Sequence, residues 1–231
     1  MSTIAENVML TKQRIAQAAI RAGRKPEEVR LCAATKMNDA SRVREAVAAG
    51  VDICGENRVQ ELTEKFEQGA YEGCPLHFIG HLQKNKVKYL VGRVQLIESV
   101  DCLELLETID KRAQSMGLRQ EVLLEVNIGR EEAKSGFAPE ELMQVMPEMA
   151  RFSSISVRGL MAIPPICEKT EEIRAYFRQM KQLFVDIGAK KYDNVSMDFL
   201  SMGMTADFET AIEEGANIVR VGSGIFGARH Y

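Results

Sequence analysis

Apolar and polar positions alternate along this chain on two scales. Short apolar runs recur, and each is followed by a longer stretch with apolar residues at helical spacing or by a glycine-rich loop. VRLCAATK (29–36) precedes DASRVREAVAAG, GVDICG (50–55) precedes ENRVQELTEKFEQ, LHFIGH (76–81) precedes NKVKYLVG, and VQLIESVD (94–101) precedes CLELLETIDKRAQSMG. The order continues through EVLLEVNIG (121–129), SVRGLMAIPP (156–165), DFLSMGM (198–204) and NIVRVGSGIFG (217–227). Eight strand-like runs separated by helical patterns predict parallel β/α units, and eight units predict an α/β fold of the closed (β/α)8 TIM-barrel kind. The opening stretch, with Ile4, Val8, Ile15 and Ile20 among its apolar positions, predicts an extra amphipathic helix ahead of the first strand. A doubly wound open sheet fits less well, because no G-x-G-x-x-G turn follows the first run.

Composition narrows the function. The 231 residues, 45% of them hydrophobic, suffice for one sizeable core, so the whole chain is expected to be a single barrel domain over 1–231. A formal net charge of −3 gives no bulk attraction to nucleic acid or a membrane surface. No run is apolar for about 18 residues, so no membrane span is expected. The five cysteines, Cys32, Cys54, Cys74, Cys102 and Cys167, form no C-x-x-C pair and read as free thiols in a reducing cytoplasm.

In a barrel the chemistry belongs where strands end and βα loops begin, with a phosphate site after the last two strands. Lys36 ends the first run. Alternation puts it on one face with Cys32 and Ala34, so an inward face would bring an amine to the mouth, where it can condense with an aldehyde. The bland alternative is a strand-edge lysine paired with Asp39. After the seventh run come Ser201, Gly203 and Thr205, and after the eighth come Gly222, Ser223 and Gly224. Two glycine-hydroxyl loops in those places predict a phosphate cup, against two ordinary turns. Arg220, two residues before Gly222, needs an acceptor inside a barrel: a phosphate, a ring nitrogen on the same ligand, or an acid such as Glu125. Asn57, Arg58, His77, His81, Asn127 and Met161 also stand near strand ends, with His81 either a proton carrier, a stacking partner or a plain loop residue. Lys84, Lys86 and Lys88 form a solvated face or an anion site. No HExxH, G-x-S-x-G or P-loop motif occurs, and no metal site is expected.

Together these segments resemble the pyridoxal-phosphate homeostasis proteins, the PLP-binding proteins of the YggS/PROSC type. ATKMNDASRVREAVAAGVDICGENRVQE, HFIGHLQKNKVKYLV, VNIGREEAKSGF, VRGLMAIPP, LSMGMTADFETAI and VRVGSGIFGAR match in the family's order, nearly end to end. The resemblance implies a barrel like the alanine racemase N-terminal domain, with pyridoxal 5′-phosphate (PLP) at its mouth. It implies that Lys36 forms the internal aldimine and that Ser201, Gly222 and Ser223 hold the phosphate, with Gly203 and Thr205 shaping the first loop. Arg220 would face the pyridine nitrogen, Asn57 and His81 would line the ring, and Met161 would pack near it. An arginine there leaves the ring nitrogen unprotonated and weakens the ring as an electron sink.

The resemblance further implies a cytoplasmic PLP carrier without established turnover, buffering the cofactor or delivering it to PLP-dependent apo-enzymes, with effects on amino-acid and keto-acid metabolism. Barrel racemases carry a second, mostly β domain, and the chain stops four residues after Gly227, so no such domain and a monomeric protein are expected. The competing expectations are a small amino-acid racemase using Lys36 with His81 or a tyrosine, and a phosphate-binding barrel without PLP. A second PLP site at Lys134 or at Lys84–Lys88 stays open.

Overall fold

The structure, a computed structural model, describes residues 2–227; Ala228 and Arg229 of the last motif lie outside the described residues. Eight parallel strands close into one barrel in the order β1 to β8, with β8 paired back onto β1. The strands are β1 (Arg30–Ala34), β2 (Ile53–Glu56), β3 (Leu76–Phe78), β4 (Leu96–Val100), β5 (Gln120–Glu125), β6 (Ile155–Met161), β7 (Val195–Ser201) and β8 (Ile218–Val221). The helices are α1 (Ile4–Arg21), α2 (Ala40–Ala48), α3 (Val59–Glu67), α4 (Leu103–Ser115), α5 (Pro139–Val145), α6 (Thr170–Lys190), α7 (Phe208–Glu213) and α8 (Ser223–Phe226). Between β3 and β4 the chain forms a 3-10 turn over Lys84–Tyr89 where the sequence pattern predicts an ordinary helical turn.

The two-residue period of each strand sorts its side chains between two cores. Ile97, Val122 and Val219 face outward into the large core beneath the helices. Cys32, Ile53, Ile79 and Ile218 form one inner cluster, and Leu96, Leu123 and Met161 another, with Phe199 touching both. Two residues further along their strands, Leu96, Phe199 and Ile218 give way to Glu98, Ser201 and Arg220, all buried. The barrel interior is therefore apolar below and polar just under the end where the strands stop.

The extra first helix is built as its pattern requires. A capping box joins Thr3 and Glu6, and Ile4, Val8, Thr11, Ile15, Ala18 and Ala19 are buried at helical spacing. Ile20 is exposed, since Ala18 and Ala19 take the inner face of the last turn. Asn7 Nδ2 donates to the Ile225 carbonyl at 2.9 Å, and Arg14 pairs with Glu209 at 2.7 Å, tying α1 to α8 and α7. The five cysteines are all free thiols. Among the described residues no helix is long and apolar enough to cross a membrane.

Candidate functional site

Lys36 stands two residues beyond the end of the first strand rather than at its last position. β1 ends at Ala34, and Lys36 and Met37 form the turn into α2. Cys32 does face the barrel interior, but strand alternation no longer determines where Lys36 points. The backbone after it is unusual: Met37 has φ 61°, a left-handed conformation seldom taken by residues with a side chain. Asp39 is the N-cap of α2, its carboxylate accepting the Arg42 N–H at 2.9 Å and the Ser41 hydroxyl at 2.7 Å.

Lys36 and the loop after β8 open onto the same space. A cavity of about 820 Å³ is lined by Ala34, Lys36, Gly222 and Ser223, among others on α1, α2 and α8. Gly222 has an ordinary negative φ, and a Cβ added there would sit 3.5 Å from the Ala34 Cβ, a normal contact. Its lack of a side chain is not demanded by the protein's own packing, and leaves the cavity open. Gly203 is different. Its φ is +91°, and a Cβ would lie 2.5 Å from Ala211 Cβ and 3.0 Å from Phe208 Cα. Its carbonyl accepts the Arg220 N–H at 3.0 Å, which draws the loop after β7 against β8. Ser223 and Thr205 then meet across the two loops, hydroxyl to hydroxyl at 3.4 Å. The amides of Ile225, Phe226 and Gly227 are used inside α8; those of Ser223 and Gly224 make no hydrogen bond among the described residues.

Below this rim lies a buried polar chain. His77 Nδ1 is 2.6 Å from Glu98 Oε1; the Ser201 hydroxyl donates to Glu98 Oε2 at 2.6 Å and accepts from Arg220 Nη1 at 2.6 Å. Arg220 Nη2 donates to the Ala162 carbonyl at 2.9 Å. The acid nearest Arg220 is thus Glu98, at 3.9 Å, and not the Glu125 that the strand-end pattern offers. Ser201 is fully buried, and its hydroxyl joins Glu98 and Arg220 inside the barrel. Burial pushes the Glu98 carboxyl up, but the His77 hydrogen bond and the charges of His77 and Arg220 hold it below its ordinary range.

The remaining strand-end residues divide. Asn57 follows β2, its backbone pressed against Gly80, where a Cβ would come within 2.1 Å of the Asn57 carbonyl. Its Oδ1 is buried and has no hydrogen-bond partner among the described residues. Met161 is fully buried in the inner cluster. His81 is largely exposed, with Nδ1 3.3 Å from Asp101 Oδ2 and 3.2 Å from the Ser135 hydroxyl. Asn127 braces its own loop, donating to the carbonyls of Glu131 and Lys134. Arg58 is exposed and pairs with Glu61 at 3.4 Å. Glu125 is pushed up to about 7, by burial first and then by repulsion from Asp101, against the pull of Arg220 and His81.

Three comparisons with known proteins agree with this geometry. The profile of the alanine racemase N-terminal domain matches residues 4–230. An alanine racemase of Clostridium difficile shares the fold, with a TM-score of 0.72 at 16% identity, over 98% of this chain and 58% of the racemase. The domain match defines the class, a barrel of the alanine racemase N-terminal type. The pyridoxal phosphate homeostasis protein of Aquifex aeolicus is 44% identical over 226 residues, 98% of each chain. PipY of Synechococcus elongatus, solved with PLP bound, superposes with a TM-score of 0.82 at 32% identity, covering 97% of this chain and 100% of PipY. The chain belongs to the pyridoxal phosphate homeostasis protein family.

Proposed function

We propose that this protein binds PLP at the mouth of its barrel and takes part in PLP homeostasis, holding the cofactor covalently through Lys36 for buffering or for delivery to PLP-dependent apo-enzymes. The observation that carries the reading is the shared cavity: Lys36 and the Gly222–Ser223 loop line one space of about 820 Å³. An aldehyde held by Lys36 Nζ and a phosphate held at Gly222 and Ser223 belong to one ligand. Two further features fit PLP. Asn57 Oδ1 is a buried acceptor without a donor among the described residues, the counterpart of a ring hydroxyl. Gly222, side-chain-free without a packing need, leaves backbone amides open to an anion.

When bound, PLP supplies an aldehyde that captures amines and a ring that withdraws electrons from them. The residues here would temper the second property. A guanidinium offers only donors, so a ring nitrogen facing Arg220 would accept a hydrogen bond and would not be protonated by it. Glu98, through Ser201, fixes the guanidinium. Ser223 and Thr205 close the phosphate cup, while Ser201 acts from beneath through Arg220. Met161 forms part of the apolar floor.

The relatives' names speak of homeostasis rather than of catalysis. We read this chain as a carrier without turnover, because the second base a racemase needs is poorly provided. His81 is mostly in water, and both neighbours of its Nδ1, Asp101 and Ser135, share that one nitrogen instead of relaying through two. Adding PLP to the protein should produce a coloured adduct, and a colourless mixture contradicts the reading. Single amino-acid enantiomers incubated with the loaded protein in heavy water should keep their Cα hydrogen. Steady incorporation of deuterium would establish a racemase instead.

A further inference from the structure

Lys36 sits between two residues that one buried ion cluster holds in place. Lys65 on α3 is buried, and its Nζ donates to the Thr35 carbonyl at 2.9 Å, to Glu56 Oε2 at 2.7 Å and to Glu61 Oε2 at 3.1 Å. Glu61 Oε2 accepts the Met37 N–H at 2.7 Å. Glu56 Oε2 also takes the Thr35 hydroxyl at 2.9 Å and the Tyr71 hydroxyl at 3.4 Å, and Oε1 takes the Asn57 N–H at 2.7 Å. The residue before Lys36 and the residue after it are therefore tied to the same ammonium, and Asn57 is tied to the same carboxylate.

The cluster has a cost that packing alone does not offset. Glu56 and Lys65 are buried and Glu61 is partly buried beside them, and taking charges out of water is repaid only when their geometry is excellent. A well-packed apolar group of the same volume would serve stability as well. What ions add is direction. Met37 adopts its left-handed backbone while its side chain is exposed, so apolar packing does not hold it there. The Glu61 carboxylate does, and releasing it lets the Lys36–Met37 turn relax toward an ordinary conformation.

We propose that the Glu56–Lys65–Glu61 cluster is the positioning device for Lys36, fixing the direction in which its amine enters the cavity it shares with Gly222 and Ser223. The inference rests on Lys36 being the covalent anchor. Lys65 and Glu61 are positioning residues; neither lines that cavity.

The test uses the full-length protein and two ligands. PLP can bond to the amine, whereas pyridoxine 5′-phosphate, with an alcohol in place of the aldehyde, reports only the ring and phosphate contacts. Glu61→Ala should weaken PLP binding about tenfold, the scale of a misplaced reacting group, and leave pyridoxine 5′-phosphate at its wild-type affinity. Glu61→Gln keeps an acceptor for the Met37 N–H and should recover most of that loss. Thermal unfolding of each variant comes first; if Glu61→Ala does not fold, Glu61→Gln carries the comparison, with a smaller loss still confined to PLP. Equal losses for both ligands, or no loss for either, overturn the positioning role. Failure of wild-type protein to form a borohydride-stable adduct at Lys36 would instead remove the anchor itself.

Discussion

Arg220 reaches Glu98 through Ser201. The guanidinium donates to the Ser201 hydroxyl at 2.6 Å and that hydroxyl donates to Glu98 at 2.6 Å, while the direct separation of the two charges is 3.9 Å. A single hydroxyl thus couples a buried cation on β8 to a buried acid on β4, across the barrel interior.

Ser201→Ala removes that coupling and leaves Arg220 Nη1 and Glu98 Oε2 each short of a partner in a buried place. The expected loss of folding stability is about 1–3 kcal/mol, the range for unsatisfied buried polar groups. Because Arg220 then moves relative to the ring, the absorption band of bound PLP should shift as well. Denaturant unfolding and the spectrum of the loaded variant check both halves. A variant with normal stability and an unshifted band would show that Ser201 does not hold Arg220.

Gly203 and Gly222 should separate folding from binding. Gly203→Ala forces a side chain into a left-handed position 2.5 Å from Ala211 and should lower stability by about 1–3 kcal/mol. Gly222→Ala meets only an ordinary contact with Ala34, so unfolding should stay near wild type while affinity for PLP and for pyridoxine 5′-phosphate falls. Unchanged binding in Gly222→Ala would place the phosphate elsewhere.

Glu125 gives the protein a defined pH response. Its carboxyl is raised from 4.5 to about 7 in the folded state, first by burial and then by Asp101. Between those values the folded protein holds the proton that the unfolded chain has released, so this group's contribution to stability falls as pH rises through the window. Glu98 has the opposite sign: its lowered value contributes stability above the ordinary carboxylate range, lost only as pH falls below it. Unfolding midpoints at about pH 5 and about pH 8 should show wild type losing ground relative to Glu125→Gln as the pH rises, the sign set by linkage. Parallel midpoints would mean that Glu125 ionises normally.

Much of this was legible in the chain. Eight apolar runs separated by helical patterns give the barrel, and the two glycine loops stand after β7 and β8 as a phosphate-binding barrel needs. Lys36 stands out as a cation after small apolar residues. The supporting charges are harder to see. Glu98 sits in LIESV and Glu56 opens ENRVQE, and one sequence does not say which barrel-wall neighbour each will find. A signal is present in Glu98, an acid within the otherwise uncharged strand LIESV, which must have a buried partner. Lys65 looked like one more charge on an amphipathic helix, because its stem lies along α3 and only the closed barrel brings Glu56 and Thr35 to its end. Ser201 is the last residue of β7 and follows Phe199 inward, so the hydroxyl partners it finds in the barrel, Glu98 and Arg220, are not written in the glycine loop beside it.

The most direct measurement is mass spectrometry of the full-length protein after PLP loading, borohydride reduction and proteolysis. A single pyridoxyl group on the peptide containing Lys36, absent when pyridoxine 5′-phosphate replaces PLP, is the predicted result. A pyridoxyl group on Lys84, Lys86, Lys88 or Lys134 with Lys36 unmodified, or no stable adduct at all, would contradict it.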